Sequence, residues 1–354
     1  MYDVPALDLS LQWAVRTLTD AETQFLSVER LSELIDLELK ATTGQEAEEI
    51  KPLMSKEFSD VGEESKSLVL DNSIAPLTPE SENALLKSGW PVGHVQFQNV
   101  SMRYTPSSPL VLRSVSVDIP AGTTLGVVGR TGSGKSSLLL TLFRLVDVEG
   151  FGSITIDGVD IRSLSHQGLR ESLSIIPQSP TLFAGTLLYN LDSSGRVSAE
   201  DAWSALEAAS TELARQFRDS EAGLETMISE GGGNLSQGQK QLICLARALV
   251  KRKNILVLDE ATSSVDTKTD SQVQDTIFRE FVQKGVTVIT VAHRLDTVLG
   301  YDKILVLDAG EMVEFGTPGE LLSKKKGYLR NLYDADQRNR QKGSKQKLVN
   351  ASII

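Results

Sequence analysis

The sequence predicts an α/β fold, a parallel sheet covered on both faces by helices and opened by a small antiparallel sheet. Three observations carry this. Leu125–Val128, Ile255–Leu258, Val286–Val291 and Ile304–Leu307 are short, almost wholly apolar runs, the pattern of strands buried on both faces. Helical stretches lie between such runs, which is how parallel strands are joined. The run from Val95 to Val100 and that from Val111 to Ile119 alternate at period two, so they read as antiparallel strands with one wetted face.

Along the chain, residues 8–40 come first. Leu11, Val15, Leu18, Phe25, Val28, Leu31, Ile35 and Leu39 recur mostly at spacings of three or four among charged residues, so the segment reads as an amphipathic helix packed on a partner or on its own domain. Residues 41–91 are rich in Asp and Glu and punctuated by Gly44, Gly62, Pro52, Pro76 and Pro79. They read as an acidic, disordered linker. Residues 92–322 form the globular domain. The tail, 323–354, is basic; it reads as a solvated, frayed terminus, with attraction to an anionic membrane surface as the alternative.

Composition narrows the function classes. The 354 residues are 40% hydrophobic and 23% charged, with a net charge of −11. So acidic a chain disfavours non-specific nucleic-acid binding, and no nucleic-acid partner is expected. The single cysteine, Cys244, excludes an intramolecular disulfide and suits a reducing compartment. No stretch approaches 18 uninterrupted apolar residues, so no transmembrane segment is expected. The first residues carry Asp3 and Asp8 and do not read as a signal peptide.

The chemistry concentrates where apolar strands end. Gly129-Arg-Thr-Gly-Ser-Gly-Lys-Ser136 follows the apolar run 125–128 and precedes a helical run, Ser137 to Leu145. It fits the phosphate-loop pattern G-x-x-x-x-G-K-[ST]. Glycines let successive N–H groups close on phosphates, and the helix N-terminus adds partial positive charge. Lys135 would reach the β- and γ-phosphates, and the Ser136 hydroxyl would ligate Mg²⁺. A second apolar strand ends in Asp259-Glu260. Carboxylates at such an end need a partner; Asp259 suits Mg²⁺ or its water, and Glu260 suits a general base on an attacking water. A third strand delivers His293 at the same edge, with the γ-phosphate as its partner. Asn234-Leu-Ser-Gln-Gly-Gln-Lys-Gln241 opens a further helix. Ser236 reads as its cap. Alternatively the Ser236 hydroxyl, the Gly238 N–H and the helix N-terminus bind a phosphate of ATP held on another subunit.

With these residues in hand, the chain resembles the ATP-binding domain of an ABC transporter. Walker A is Gly129–Ser136, Walker B ends in Asp259-Glu260, and the signature is Leu235-Ser-Gln-Gly-Gln239. The Q-loop glutamine matches Gln178, the D-loop Ser263–Asp266, and the switch histidine His293. Tyr104 occupies the position whose ring stacks on adenine. The finer resemblance is to the second nucleotide-binding domain of subfamily C, the multidrug-resistance-associated transporters. It rests on Gly185–Asp192, on residues 20–31, which are similar to the stretch leaving a last transmembrane helix, and on Gln237 in place of the signature's first glycine.

The resemblance implies a RecA-like core, a small antiparallel subdomain near 93–120 and a helical signature subdomain between about Gln178 and Leu249. It implies an ATPase using ATP and Mg²⁺. Lys135, Gln178, Glu260 and His293 would serve catalysis. Tyr104, Gly129, Arg130, Thr131, Gly132, Ser133, Gly134, Lys135, Ser136, Ser137, Ser236, Gly238, Gln239 and Asp266 would hold nucleotide, and Ser136, Gln178 and Asp259 the metal. The implied partners are a transmembrane domain and a second, non-identical nucleotide-binding domain, at the cytoplasmic face of a membrane. A regulatory ABC protein, gating a channel or partner by ATP-driven dimerisation, is the alternative.

Overall fold

A computed structural model describes residues 74–259, 267–292 and 294–338. The amphipathic pattern at 8–40 lies outside the described residues.

The first element is helix α1 (Pro79–Lys87). Thr78 caps it, its Oγ1 accepting from Ser81 N at 3.2 Å, and Pro79 and Glu80 suit the first turn. This helix corrects the reading of 41–91 as a disordered linker over its last part. Acidity there does not mean solvation: Glu82 is 8% exposed. Its Oε1 accepts from Ser165 N at 3.0 Å and Ser165 Oγ at 2.8 Å.

Strands β1 (Val95–Met102) and β2 (Leu112–Ile119) follow and pair antiparallel. Then β3 (Thr124–Gly129) leads through a loop into α2 (Lys135–Leu142). Strands β4 (Ser153–Ile156) and β5 (Val159–Asp160) return to the antiparallel sheet, whose order is β2-β1-β4-β5. That sheet therefore extends past the 93–120 segment that the sequence indicates. Helix α3 (His166–Ser172) precedes β6 (Ser174–Ile176).

The helical region runs from β7 (Gly185–Thr186) through α4 (Leu187–Leu191), α5 (Ala199–Ala209), α6 (Thr211–Arg218), β8 (Met227–Ile228) and α7 (Gln237–Lys251). It leads into β9 (Ile255–Asp259), α8 (Thr267–Glu280), β10 (Thr287–Val291), β11 (Lys303–Asp308), β12 (Glu311–Gly316) and α9 (Pro318–Ser323). The main sheet has the order β12-β11-β3-β10-β9-β6. Its pairs from β11 to β6 are parallel, and β12 is an antiparallel edge.

The sheet is a wall between two cores. Ile255 and Val257 of β9 face a cluster with Leu138 and Leu142 of α2 and with Val95 and Phe97 of β1. Leu256 and Leu258 face the helical region, against Ile243 and Leu245 of α7 and Val273 and Ile277 of α8. Each such side chain contributes about 1.5–3 kcal/mol on full burial. A third cluster joins Val128, Ile304 and Val306 to Leu321 and Leu329. Leu329 belongs to a helix over 328–338, and its N–H donates to Glu314 Oε2 at 2.9 Å. The first part of the basic tail is thus packed helix rather than a frayed end, because its apolar residues were hidden among lysines.

Candidate functional site

Parallel strands all deliver their carboxyl ends to one edge, which is where α/β sheets place their sites. At that edge β3 runs into the loop Gly129–Ser136, β9 ends on Asp259, and Gln178 stands two residues beyond β6. Asp259 is level with Val291, the last residue of β10. Glu260 and Asp266, which follow β9, and His293, which follows β10, lie outside the described residues.

The loop is shaped by close approach. A Cβ on Gly129 would stand 2.2 Å from the Leu307 carbonyl oxygen, so only glycine lets the loop leave β3 against β11. Gly134 has φ +100 and a Cβ there would meet Leu112 Cδ2 at 2.8 Å. Lys135, buried at 9% exposure, folds back over the loop. Its Nζ donates to the carbonyls of Gly129 at 3.1 Å and Arg130 at 3.2 Å. Ser133 Oγ is buried and has no hydrogen-bond partner among the described residues. Arg130, Thr131 and Gly132 are exposed around the cradle.

Two contacts extend the loop. Ser136 Oγ donates to Asp259 Oδ1 at 3.3 Å, joining the start of α2 to the end of β9. Tyr104, 54% exposed, has its hydroxyl 2.9 Å from the buried Ser137 Oγ. That bond tethers the ring beside the loop, a link no sequence signal announced. Ser136 and Asp259 offer hard oxygens of the kind Mg²⁺ takes, together with waters and substrate phosphates. Among the described residues there is no group of three or more His, Cys, Asp or Glu that could hold a metal by itself.

The Ser236 segment is a separate place. Ser236 Oγ accepts from Gln239 N at 3.2 Å, and Gln239 Oε1 accepts from Ser236 N at 2.9 Å, a reciprocal capping box on α7. Gln239 Nε2 also donates to Gln216 Oε1 of α6 at 2.9 Å. The structural cap predicted for Ser236 is present. A cleft of about 290 Å³ lies there, with Ser236, Gly238 and Gln239 on one side and Lys268, Thr269 and Gln272 on the other.

This loop, with Ser136 bonded to the acid of a neighbouring strand, defines a phosphate-loop nucleotide-binding domain. Residues 112–263 match the model of the family described as "ABC transporter". The chain is 43% identical over 317 residues to "ATP-binding cassette sub-family C member 2" of Rattus norvegicus, covering 89% of this chain and 18% of that protein. It is 40% identical over 324 residues to "Metal resistance protein YCF1" of Saccharomyces cerevisiae, covering 91% of this chain and 19% of that one. A solved structure, described as a bacterial Atm1-family ABC exporter with ATP bound, matches with a TM-score of 0.63 and 35% identity over 69% of this chain and 42% of its own. Residues 112–263 therefore belong to the ABC transporter family as an ATP-binding domain, homologous to the subfamily C proteins. The chain spans under a fifth of the length of those curated relatives.

Proposed function

We propose that this chain is the ATP-hydrolysing motor of an ATP-driven exporter, corresponding to the second nucleotide-binding domain of a subfamily C transporter. The observation that carries the reading is the 3.3 Å bond from Ser136 Oγ to Asp259 Oδ1. It pairs the hydroxyl and carboxylate that a metal-bound triphosphate needs side by side.

Tyr104 stacks on the adenine. The N–H groups of Gly129–Ser136 hold the phosphates, and Lys135 exchanges the carbonyls of Gly129 and Arg130 for phosphate oxygens. Ser136 and Asp259, with Gln178 nearby, would hold Mg²⁺, which when bound would neutralise phosphate charge. Glu260 accepts the proton of the attacking water, and His293 contacts the γ-phosphate. Ser236, Gly238 and Gln239 cover the ATP of a second, non-identical nucleotide-binding domain, with Asp266 at the same junction.

The force acts on a transmembrane domain. Phe183, Tyr189 and Met227, in or next to the small β7–β8 pair, are 53%, 46% and 63% exposed, apolar side chains suited to such a partner. No described helix is long and apolar enough to cross a membrane, so in this reading the spans are carried elsewhere. The test is Glu260→Gln in the full transporter, read as ATP turnover and as ATP-dependent uptake into inverted membrane vesicles. Both should fall while ATP still binds. Wild-type turnover in the variant would overturn the assignment.

A further inference from the structure

Arg247 lies on α7, three turns beyond the Ser236 cap, and takes no part in the site above. Its Nε donates to the Asn190 carbonyl at 2.7 Å and its Nη1 to the Thr181 carbonyl at 3.2 Å. The guanidinium also lies over the Phe183 ring, 6.0 Å from its centroid. Asn190 is 2% exposed, and its amide completes the frame. Asn190 Oδ1 accepts from Phe183 N at 2.9 Å, and Nδ2 donates to the carbonyls of Phe183 at 2.9 Å and Thr186 at 3.1 Å. Three residues beyond Gln178, the chain is therefore held by a fork on α7 and a buried amide on α4.

Only arginine offers this combination, a planar fork for two carbonyls and a flat face for an aromatic ring. Nη2 is buried yet donates to nothing among the described residues. An unmade bond on a buried guanidinium is costly. The guanidinium thus carries a spare donor, and movement of the loop can trade one carbonyl for another without leaving the fork empty.

We propose that Arg247 is a positioning residue that couples the loop after Gln178 to α7, so that a nucleotide-driven shift at Gln178 is delivered to Phe183 instead of being absorbed by slack chain. This rests on the functional reading above. Gln178 sits on one side of the bracket and the exposed Phe183 face on the other. Because α7 also starts at Ser236, the same rod ties that face to the place where the second domain's ATP would be covered.

The test is hydrogen exchange of the backbone over 179–190 in the 354-residue chain, with and without Mg-ATP, with affinity measured by calorimetry. In the wild-type chain Mg-ATP should slow exchange there about tenfold or more. Arg247→Met keeps the apolar stem and removes the fork. It should lose that response while its Kd for Mg-ATP stays within about threefold, well under the 1.4 kcal/mol of a tenfold change. Arg247→Lys, which can reach one carbonyl, should restore part of it, and it carries the test if Arg247→Met does not fold. A full response in both variants would overturn the coupling role. So would an unresponsive loop in a wild-type chain that binds Mg-ATP. A wild-type chain that does not bind Mg-ATP would instead overturn the functional reading and this proposal with it.

Discussion

Ser136 and Asp259 are 123 residues apart in sequence, yet a hydroxyl of the first donates to a carboxylate oxygen of the second at 3.3 Å. One stands at the start of α2 and the other at the end of β9, so the bond joins two elements far apart in the chain. Asp259→Asn keeps the shape and removes the charge that in the proposed role would attract Mg²⁺. Mg²⁺-dependent ATP binding should weaken by about tenfold or more, since bonds to charged groups are worth about 1.5–3 kcal/mol. ATP binding in excess chelator should change little. Calorimetry with and without Mg²⁺ checks this, and equal losses in both conditions would refute a metal role.

Lys135→Ala should weaken Mg-ATP binding by about tenfold or more, for the same energetic reason. Lys135 is nearly buried and bonded to the Gly129 and Arg130 carbonyls. The apo chain should therefore also lose stability, seen as a lower urea midpoint. Near wild-type affinity in a folded variant would count against the phosphate-loop role.

Tyr104 separates two contributions. Tyr104→Phe keeps the ring and loses the bond to Ser137 Oγ at 2.9 Å; Tyr104→Ala loses both. Stacking on the order of 1 kcal/mol puts Tyr104→Ala about fivefold weaker for ATP, with Tyr104→Phe between it and the wild type. If all three bind ATP alike, the ring is not the base platform.

Glu82 tests the packing of α1. Its carboxylate accepts both the N–H and the hydroxyl of Ser165. Glu82→Ala should cost about 1–3 kcal/mol by leaving partly buried donors unmatched, measured by urea denaturation. A loss near zero would mean that α1 is not anchored through this residue.

Gln237 is exposed at the first turn of α7. The chain alone, presenting this signature in both sites of a homodimer, should hydrolyse ATP slowly. If the chain is a second nucleotide-binding domain as proposed, adding the cognate first domain should raise turnover. Rate against concentration, for each alone and mixed, checks this. Fast hydrolysis by the chain alone, unimproved by Gln237→Gly or by the partner, would refute the asymmetry.

The sequence made parts of this plain. Strands β3, β9, β10 and β11 announce themselves because both faces are buried, leaving unbroken apolar runs. The loop 129–136 is legible because a phosphate cradle admits few residues at each position. Strand β6 is not: it has three residues, and its burial alternates against its polarity, with Ser174 1% and Ile175 43% exposed. Helix α1 was hidden because Glu82 looks like a solvated charge until Ser165 is folded against it. The bonds of Ser136, Tyr104 and Arg247 join residues distant in sequence, and nothing local to any of them specifies its partner.

The alternation along β9 sets how finely Asp259 is placed. Ile255 and Val257 fill one core, and Leu256 and Leu258 the other. Sliding the strand by a single position would exchange every one of these side chains between compartments of different shape. Intermediate placements are therefore closed to it, and the carboxylate at its end can shift only with the whole wall. The accuracy of this edge is thus an inheritance from aliphatic side chains that lie in the two cores and not at the edge itself. Swaps that resize them, such as Val257→Ala, would blur the site before they unfold the protein.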